Sequence, residues 1–231
     1  MKNKVVLCVA AHPDDLDFGA SGTVAKWAKQ GAACYYLICT NGCKGSDDPT
    51  MTEAKLIKIR RQEQIAAGKI LGLKEVFFLN HNDTELIVDL NLKREIVYYI
   101  RKLKPEIVIT MDPTVIYSSF GFINHTDHRA AGQATIDAVF PLSRDRLTFP
   151  EQVRQGLMPH KVKTLYLTNF DKSTEIINIS DTIELKLKAL KEHKSQIGDA
   201  AITMVKGWAK QLGKKHGYPY AEGFIRLNLM P

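Results

Sequence analysis

Apolar, β-branched runs recur along this chain, and between them apolar residues return every three or four positions. The runs at residues 4–11, 33–40, 76–79, 107–111 and 164–168 predict strands. The three- and four-residue spacing predicts helices over 22–31, 52–71, 90–103, 127–139 and 182–196. Ser21 is placed to cap the first helix and Gly31 to stop it. In the second helix Leu56, Ile59, Glu63, Ala66 and Ile70 mark one face, and Gly72 closes it. Asn41-Gly42 signals a turn after the second strand. Strands that alternate with helices of this length imply an α/β fold: a mostly parallel sheet covered on both faces, a three-layer sandwich. Residues 141–163 contain Pro141, Pro150 and Pro159 and read as an irregular excursion rather than a linker. The whole of 1–231 is therefore expected to form one domain, with 141–231 shaping a pocket.

Composition narrows the class. A 231-residue chain with 45% hydrophobic content can bury a sizeable core, and no stretch approaches the roughly 20 apolar residues of a membrane helix. The apolar run after Met1-Lys2-Asn3-Lys4 is too short for a signal peptide and empties into charged residues, so a cytoplasmic protein is expected. Cys8, Cys34, Cys39 and Cys43 crowd the first 43 residues, which suits reduced core thiols better than a disulfide framework. The pair Cys39 and Cys43 lacks the two-residue spacing of zinc hooks. Net charge is +7, and much of the excess lies late, at Lys186, Lys188, Lys191, Lys194, Lys206, Lys210, Lys214 and Lys215. These lysines read as a solvated helix face. Aromatic and basic residues do not interleave as nucleic-acid binders require, so nucleic acid is not an expected partner.

Polar clusters fall directly after predicted strands: His12–Asp15, Asn41–Lys44, Asn80–Asp83 and Asp112-Pro113. In open parallel sheets ligands bind beyond the carboxyl ends of the strands. The first cluster, Ala11-His12-Pro13-Asp14-Asp15, puts an imidazole and two carboxylates at the end of a buried strand, with Asp17 close behind. Desolvated carboxylates are costly, so such a cluster holds a cation or moves protons. The matching piece is His125-Thr126-Asp127-His128. Either piece alone is a weak signal; together they supply His12, Asp15 and His128 as three ligands for one divalent ion with a fourth position open to water. Pro13 stiffens the loop, and Gly19 and Gly22 let the backbone pass beneath it. Asp14 is then free to take a proton from the water. His125 can protonate a leaving group or stabilise an oxyanion, and Asp127 can orient His125 through its far ring nitrogen.

The order Ala11-His12-Pro13-Asp14-Asp15…Gly19…Gly22-Thr23, Thr40-Asn41-Gly42…Gly45, Arg60…Glu63…Ala67…Leu71-Gly72 and Asn124-His125-Thr126-Asp127-His128-Arg129-Ala130 resembles the PIG-L/LmbE-like zinc de-N-acetylase family. The resemblance spans about the first 140 residues; the last 90 carry none. It implies a Rossmann-like fold and hydrolysis of the N-acetyl group of an N-acetylglucosamine-type substrate, releasing acetate and a free amine. It further implies zinc (ferrous iron would suit the same ligands) on His12, Asp15 and His128, Asp14 as general base, His125 as the acid and Asp127 as its partner. Arg60 and Asp83 match positions tied to substrate binding. Two positions depart from the pattern: Thr84 stands where relatives often have glycine, and Thr126 replaces a proline between the histidines without removing a ligand. A homo-oligomer is expected.

Two other functions remain compatible with these residues: a zinc amidase for a non-sugar amide, decided by 141–231, and a non-catalytic nucleotide- or metal-binding module. Gly19-Ala20-Ser21-Gly22 lacks the glycine order of dinucleotide sites, and an intact Asp14 speaks against a dead enzyme.

Overall fold

A computed structural model describes residues 1–119 and 121–230. One sheet of seven strands runs in the order β3-β2-β1-β4-β5-β7-β6. The strands are β1 (Val5–Ala10), β2 (Ala33–Thr40), β3 (Glu75–His81), β4 (Ile107–Met111), β5 (Thr164–Thr168), β6 (Glu175–Asn178) and β7 (Ala221–Asn228). β3, β2, β1, β4 and β5 are parallel, and β7 enters antiparallel between β5 and β6. The helices are α1 (Asp15–Gly19), α2 (Ser21–Lys29), α3 (Glu53–Leu71), α4 (Leu90–Leu103), α5 (Thr126–Asp137), α6 (Pro150–Arg154), α7 (Ile183–Glu192) and α8 (Asp199–Lys215). Among the described residues, no helix is long and apolar enough to cross a membrane.

Alternate residues of β1 serve the two faces of the sheet, which is why its apolar run is continuous. Leu7 and Val9 pack with Leu92, Ile96 and Ile100 of α4 and Ala130 and Ala134 of α5. Val6, Cys8 and Ala10 pack with Val24 and Trp27 of α2 and Ala67 and Leu71 of α3. The result is the three-layer α/β sandwich. Gly132 lets α5 lie close on β4: a Cβ there would sit 2.3 Å from the Met111 carbonyl oxygen.

Several local expectations change. Ser21 lies inside α2, its hydroxyl donating to the Asp17 carbonyl, and it is Glu222 on β7 whose carboxylate accepts from the Gly22 and Thr23 N–H groups. Lys186 does not belong to a solvated face. It is 1% exposed and donates to Glu222 and to the carbonyls of Asp17 and Phe18. The buried stripe of α3 is Leu56, Arg60, Gln64, Ala67 and Leu71 rather than the face marked by Ile59, Glu63 and Ile70. α8, β6 and β7 lie in the stretch that carried no resemblance. The excursion at 141–163 contains α6 and is fastened by Arg101 of α4. That guanidinium donates to the carbonyls of Leu142, Ser143, Asp145, Thr148 and Phe149 and to the Gln152 side chain.

Candidate functional site

The loops after β1, β2, β3 and β4 meet at the carboxyl edge of the sheet, where the sequence placed its polar clusters. After β1 the chain turns at His12–Pro13–Asp14 into α1. The Asp15 carboxylate caps this turn by accepting from the His12 N–H at 2.7 Å. Its other oxygen lies 3.0 Å from His128 Nε2, and the first lies 3.5 Å from His12 Nδ1. One carboxylate thus bridges two imidazoles that lie more than a hundred residues apart in sequence. Asn124 turns the His128 ring by facing its Nδ1 at 3.0 Å. The structure therefore brings His12, Asp15 and His128 together. It also brings in His125: the ring centroids of His12 and His125 are 4.7 Å apart, and ring nitrogens of His12, His125 and His128 lie within 4.8 Å of one another.

The far side of the His12 ring faces two more carboxylates, with Nε2 3.0 Å from Asp83 and 3.2 Å from Asp127. Burial alone would lower the His12 pKa, but Asp15, Asp127 and Asp83 outweigh it and push it up to about 12. Burial would raise Asp15, yet His128 and His12 hold it well below the usual carboxylate range. Imidazoles set among this many carboxylates form a donor set that calls for a cation, and nitrogen and oxygen donors suit a borderline divalent ion. The residues present fit a metal.

Asp14 stands beside this group. Burial pushes its carboxyl up to about 6, with Arg60 opposing and Asp15 adding to the shift. Its backbone is left-handed, at φ 107°, an unusual conformation for a residue with a Cβ. Arg60 Nη2 lies 3.4 Å from the Asp14 carboxylate and Nη1 3.4 Å from that of Asp83. The same guanidinium donates to the carbonyls of Pro13, Gly42 and Lys44. At Gly42, φ is 65° and a Cβ would meet Arg60 Nε at 2.9 Å, so only glycine lets this loop wrap the arginine. Arg60 and Asp83 are both buried, each 4% exposed. The structure thus brings both residues into the site, beside Asp14 and His12.

Asp127 also differs from its expected contact. Its carboxylate accepts from the Thr84 and Leu86 N–H groups and faces His12. The link to His125 is made by the Asp127 backbone N–H, which donates to His125 Nδ1 at 3.1 Å. Burial, then the neighbouring His12, lowers the His125 pKa.

The sequence reasoning missed Gln64 and His193. Gln64 accepts from the Asp14 N–H and donates to Asp17, and His193 faces Asp17 from the end of α7. Gln64 could have been found, since it lies one turn beyond Arg60 on the same helix face. His193 is 176 residues from its partner and leaves no local signal.

Fold and site define the class: an α/β protein with an imidazole–carboxylate centre suited to a metal at the carboxyl edge of a mostly parallel sheet. Residues 7–139 match the PIG-L family, described as GlcNAc-PI de-N-acetylase, and the chain belongs to that family. Diacetylchitobiose deacetylase of Thermococcus kodakarensis is 33% identical over 224 residues, covering 95% of this chain and 82% of that protein. A probable N-acetyl-alpha-D-glucosaminyl L-malate deacetylase 2 of Bacillus anthracis is 29% identical over 210 residues, covering 85% of this chain and 83% of that protein. Among solved structures, N,N'-diacetylchitobiose deacetylase from Pyrococcus horikoshii superposes with a TM-score of 0.90 at 32% identity, covering 97% of this chain and 84% of that one.

Proposed function

We propose that this protein is a zinc-dependent hydrolase that removes the N-acetyl group from an N-acetylglucosamine-type sugar. One observation carries the proposal: the bridge from Asp15 to His12 and His128, with His125 and the carboxylate of Asp14 alongside. A zinc or ferrous ion held by His12, Asp15 and His128 would supply Lewis-acid polarisation of the acetyl carbonyl and acidify water.

The chain's own groups do the rest. Asp14 accepts a proton from water as its oxygen attacks the acetyl carbon, and a carboxyl whose pKa lies near 6 is ionised yet basic at neutral pH. Arg60 keeps that carboxylate in place and balances the charge of Asp83. His125 receives the Asp127 N–H on Nδ1, which leaves its proton on Nε2. From there it donates a hydrogen bond to the oxygen that gains charge, while the proton taken up by Asp14 passes to the departing nitrogen. The carbon–nitrogen bond breaks, and acetate and the free amine leave. Asp127 acts on this reaction through His12 and the 84–86 loop.

We read residues 1–231 as one catalytic domain in which 141–231 shapes the pocket; Ser195 bound to Glu63 and Gln196 bound to Gly45 support this. The four cysteines are free and buried, in support of a reducing compartment such as the cytoplasm. Exposed Ile87, Ile116, Tyr117 and Ile123 in the loops that flank Asp83 and His125, with Leu90 at the start of α4, support a homo-oligomer, which light scattering tests.

Zinc-loaded protein incubated with diacetylchitobiose and N-acetylglucosamine should release acetate and amine in equal amounts. Asp14→Asn should keep the metal and lose roughly 10²- to 10⁴-fold in kcat. Turnover of non-sugar amides alone would overturn the substrate class, and full activity of Asp14→Asn would overturn the base.

A further inference from the structure

Behind the proposed base lies a fully enclosed polar group that the mechanism above does not use. Asp17 and Gln64 are 0% exposed and His193 1%. Asp17 Oδ2 accepts from Gln64 Nε2 at 3.1 Å and faces His193 Nε2 at 2.8 Å, while Tyr36 Oη reaches Oδ1 at 3.5 Å. A carboxylate accepts only, so it fixes which end of the Gln64 amide points toward it. The Gln64 oxygen is thereby turned the other way, where it accepts the Asp14 N–H at 2.9 Å.

That N–H belongs to a residue held at φ 107°. A left-handed residue bearing a Cβ persists where its surroundings over-determine it. Arg60 restrains the Asp14 carboxylate from one side, and Gln64 restrains its main chain from the other. His193 is itself anchored: the adjoining turn is tied to α3 through Ser195, whose N–H and hydroxyl both donate to Glu63.

We propose that Gln64, oriented by the buried Asp17–His193 pair, is a positioning residue that holds the main chain of Asp14 so that its carboxylate points at the attacking water. This rests on the assignment of Asp14 as general base. Only an amide satisfies both neighbours, because glutamate would set a second acceptor against Asp17 and an apolar side chain would answer neither.

The test is a double-mutant cycle on zinc-loaded protein with diacetylchitobiose. Gln64→Met should lower kcat about tenfold to a hundredfold, the scale of misplacing a catalytic group by an ångström, with KM and zinc content within about twofold of wild type. In the Asp14→Asn background the same substitution should change the residual kcat by less than about twofold, because the group it positions is already gone. His193→Phe should reproduce the pattern with a smaller loss. If Gln64→Met fails to accumulate, Gln64→Glu carries the same comparison in its place. An equal loss in both backgrounds, a change confined to KM, or an unchanged kcat overturns the positioning role. An active Asp14→Asn protein overturns the base itself, so the two failures are told apart.

Discussion

Arg60 and Arg101 are both buried, at 4% and 1% exposure, and both reach from a helix into irregular chain. Arg60 faces the carboxylates of Asp14 and Asp83 and wraps three loops that carry the site. Arg101 meets no carboxylate among the described residues; its donors go to main-chain carbonyls of 142–149 and one glutamine. A buried guanidinium among carboxylates tunes charge where chemistry happens. The same group among carbonyls replaces the secondary structure that a proline-rich segment cannot form. The identical residue type therefore marks a reaction centre in one region and a fastening in the other, and only its partners tell which.

The sharpest break of this comparison is Arg60→Met. It should reduce kcat roughly 10²-fold or more, since the base loses its orienting charge, and steady-state acetate release measures this. If Arg60→Met lowers only thermal stability, the contrast between the arginines fails. Arg101→Met should do the opposite: a loss of about 3–5 kcal/mol, read as a melting point lower by about 10 °C, with kcat per folded molecule unchanged at low temperature. Arg60→Lys keeps charge but not the fork, and should lie between wild type and Arg60→Met in kcat. The smallest effect belongs to a half-exposed pair, His81 with Glu95 at 2.6 Å. The Glu95 contact raises the His81 pKa although burial opposes it. A raised histidine stabilises the fold below the unfolded value near 6.5 and loses that effect as pH climbs past its folded value. Glu95→Gln should thus cost under about 1 kcal/mol at pH 5.5 and less at pH 8.5, as denaturant titrations would show.

The parallel strands and the metal-type cluster were legible because each is a local pattern: an apolar run, then imidazole and carboxylate within a few residues. α3 shows where that reading fails. Its buried stripe includes Arg60 and Gln64, because the face turned inward borders the site at those residues and the core only at Ala67 and Leu71, so hydrophobic periodicity selected the neighbouring stripe. Lys186 was misread for the same reason, since its partners are Glu222 and two carbonyls far along the chain. Ile202, Val205 and Ala209 carry helical spacing for α8, which the surrounding lysines mask. The short β6 and the antiparallel β7 gave no comparable run, because Glu175 and Asn178 bound two isoleucines in β6 and Glu222, Gly223, Arg226 and Asn228 interrupt β7. Asp127 lies in the cluster, but which of its atoms meets His125 depends on the helix start, which a sequence does not specify.

The contact of Glu222 with the first turn of α2 joins groups 200 residues apart. During synthesis, the stretch that bears His12 to Asp15 leaves the ribosome long before this carboxylate exists. Until β7 threads between β5 and β6, the amino end of α2 lacks its counter-charge and Lys186 has no acid to meet. The reactive loop of a nascent polypeptide therefore matures late, and a prematurely terminated product ending before residue 221 would carry every catalytic group yet leave their platform unfinished.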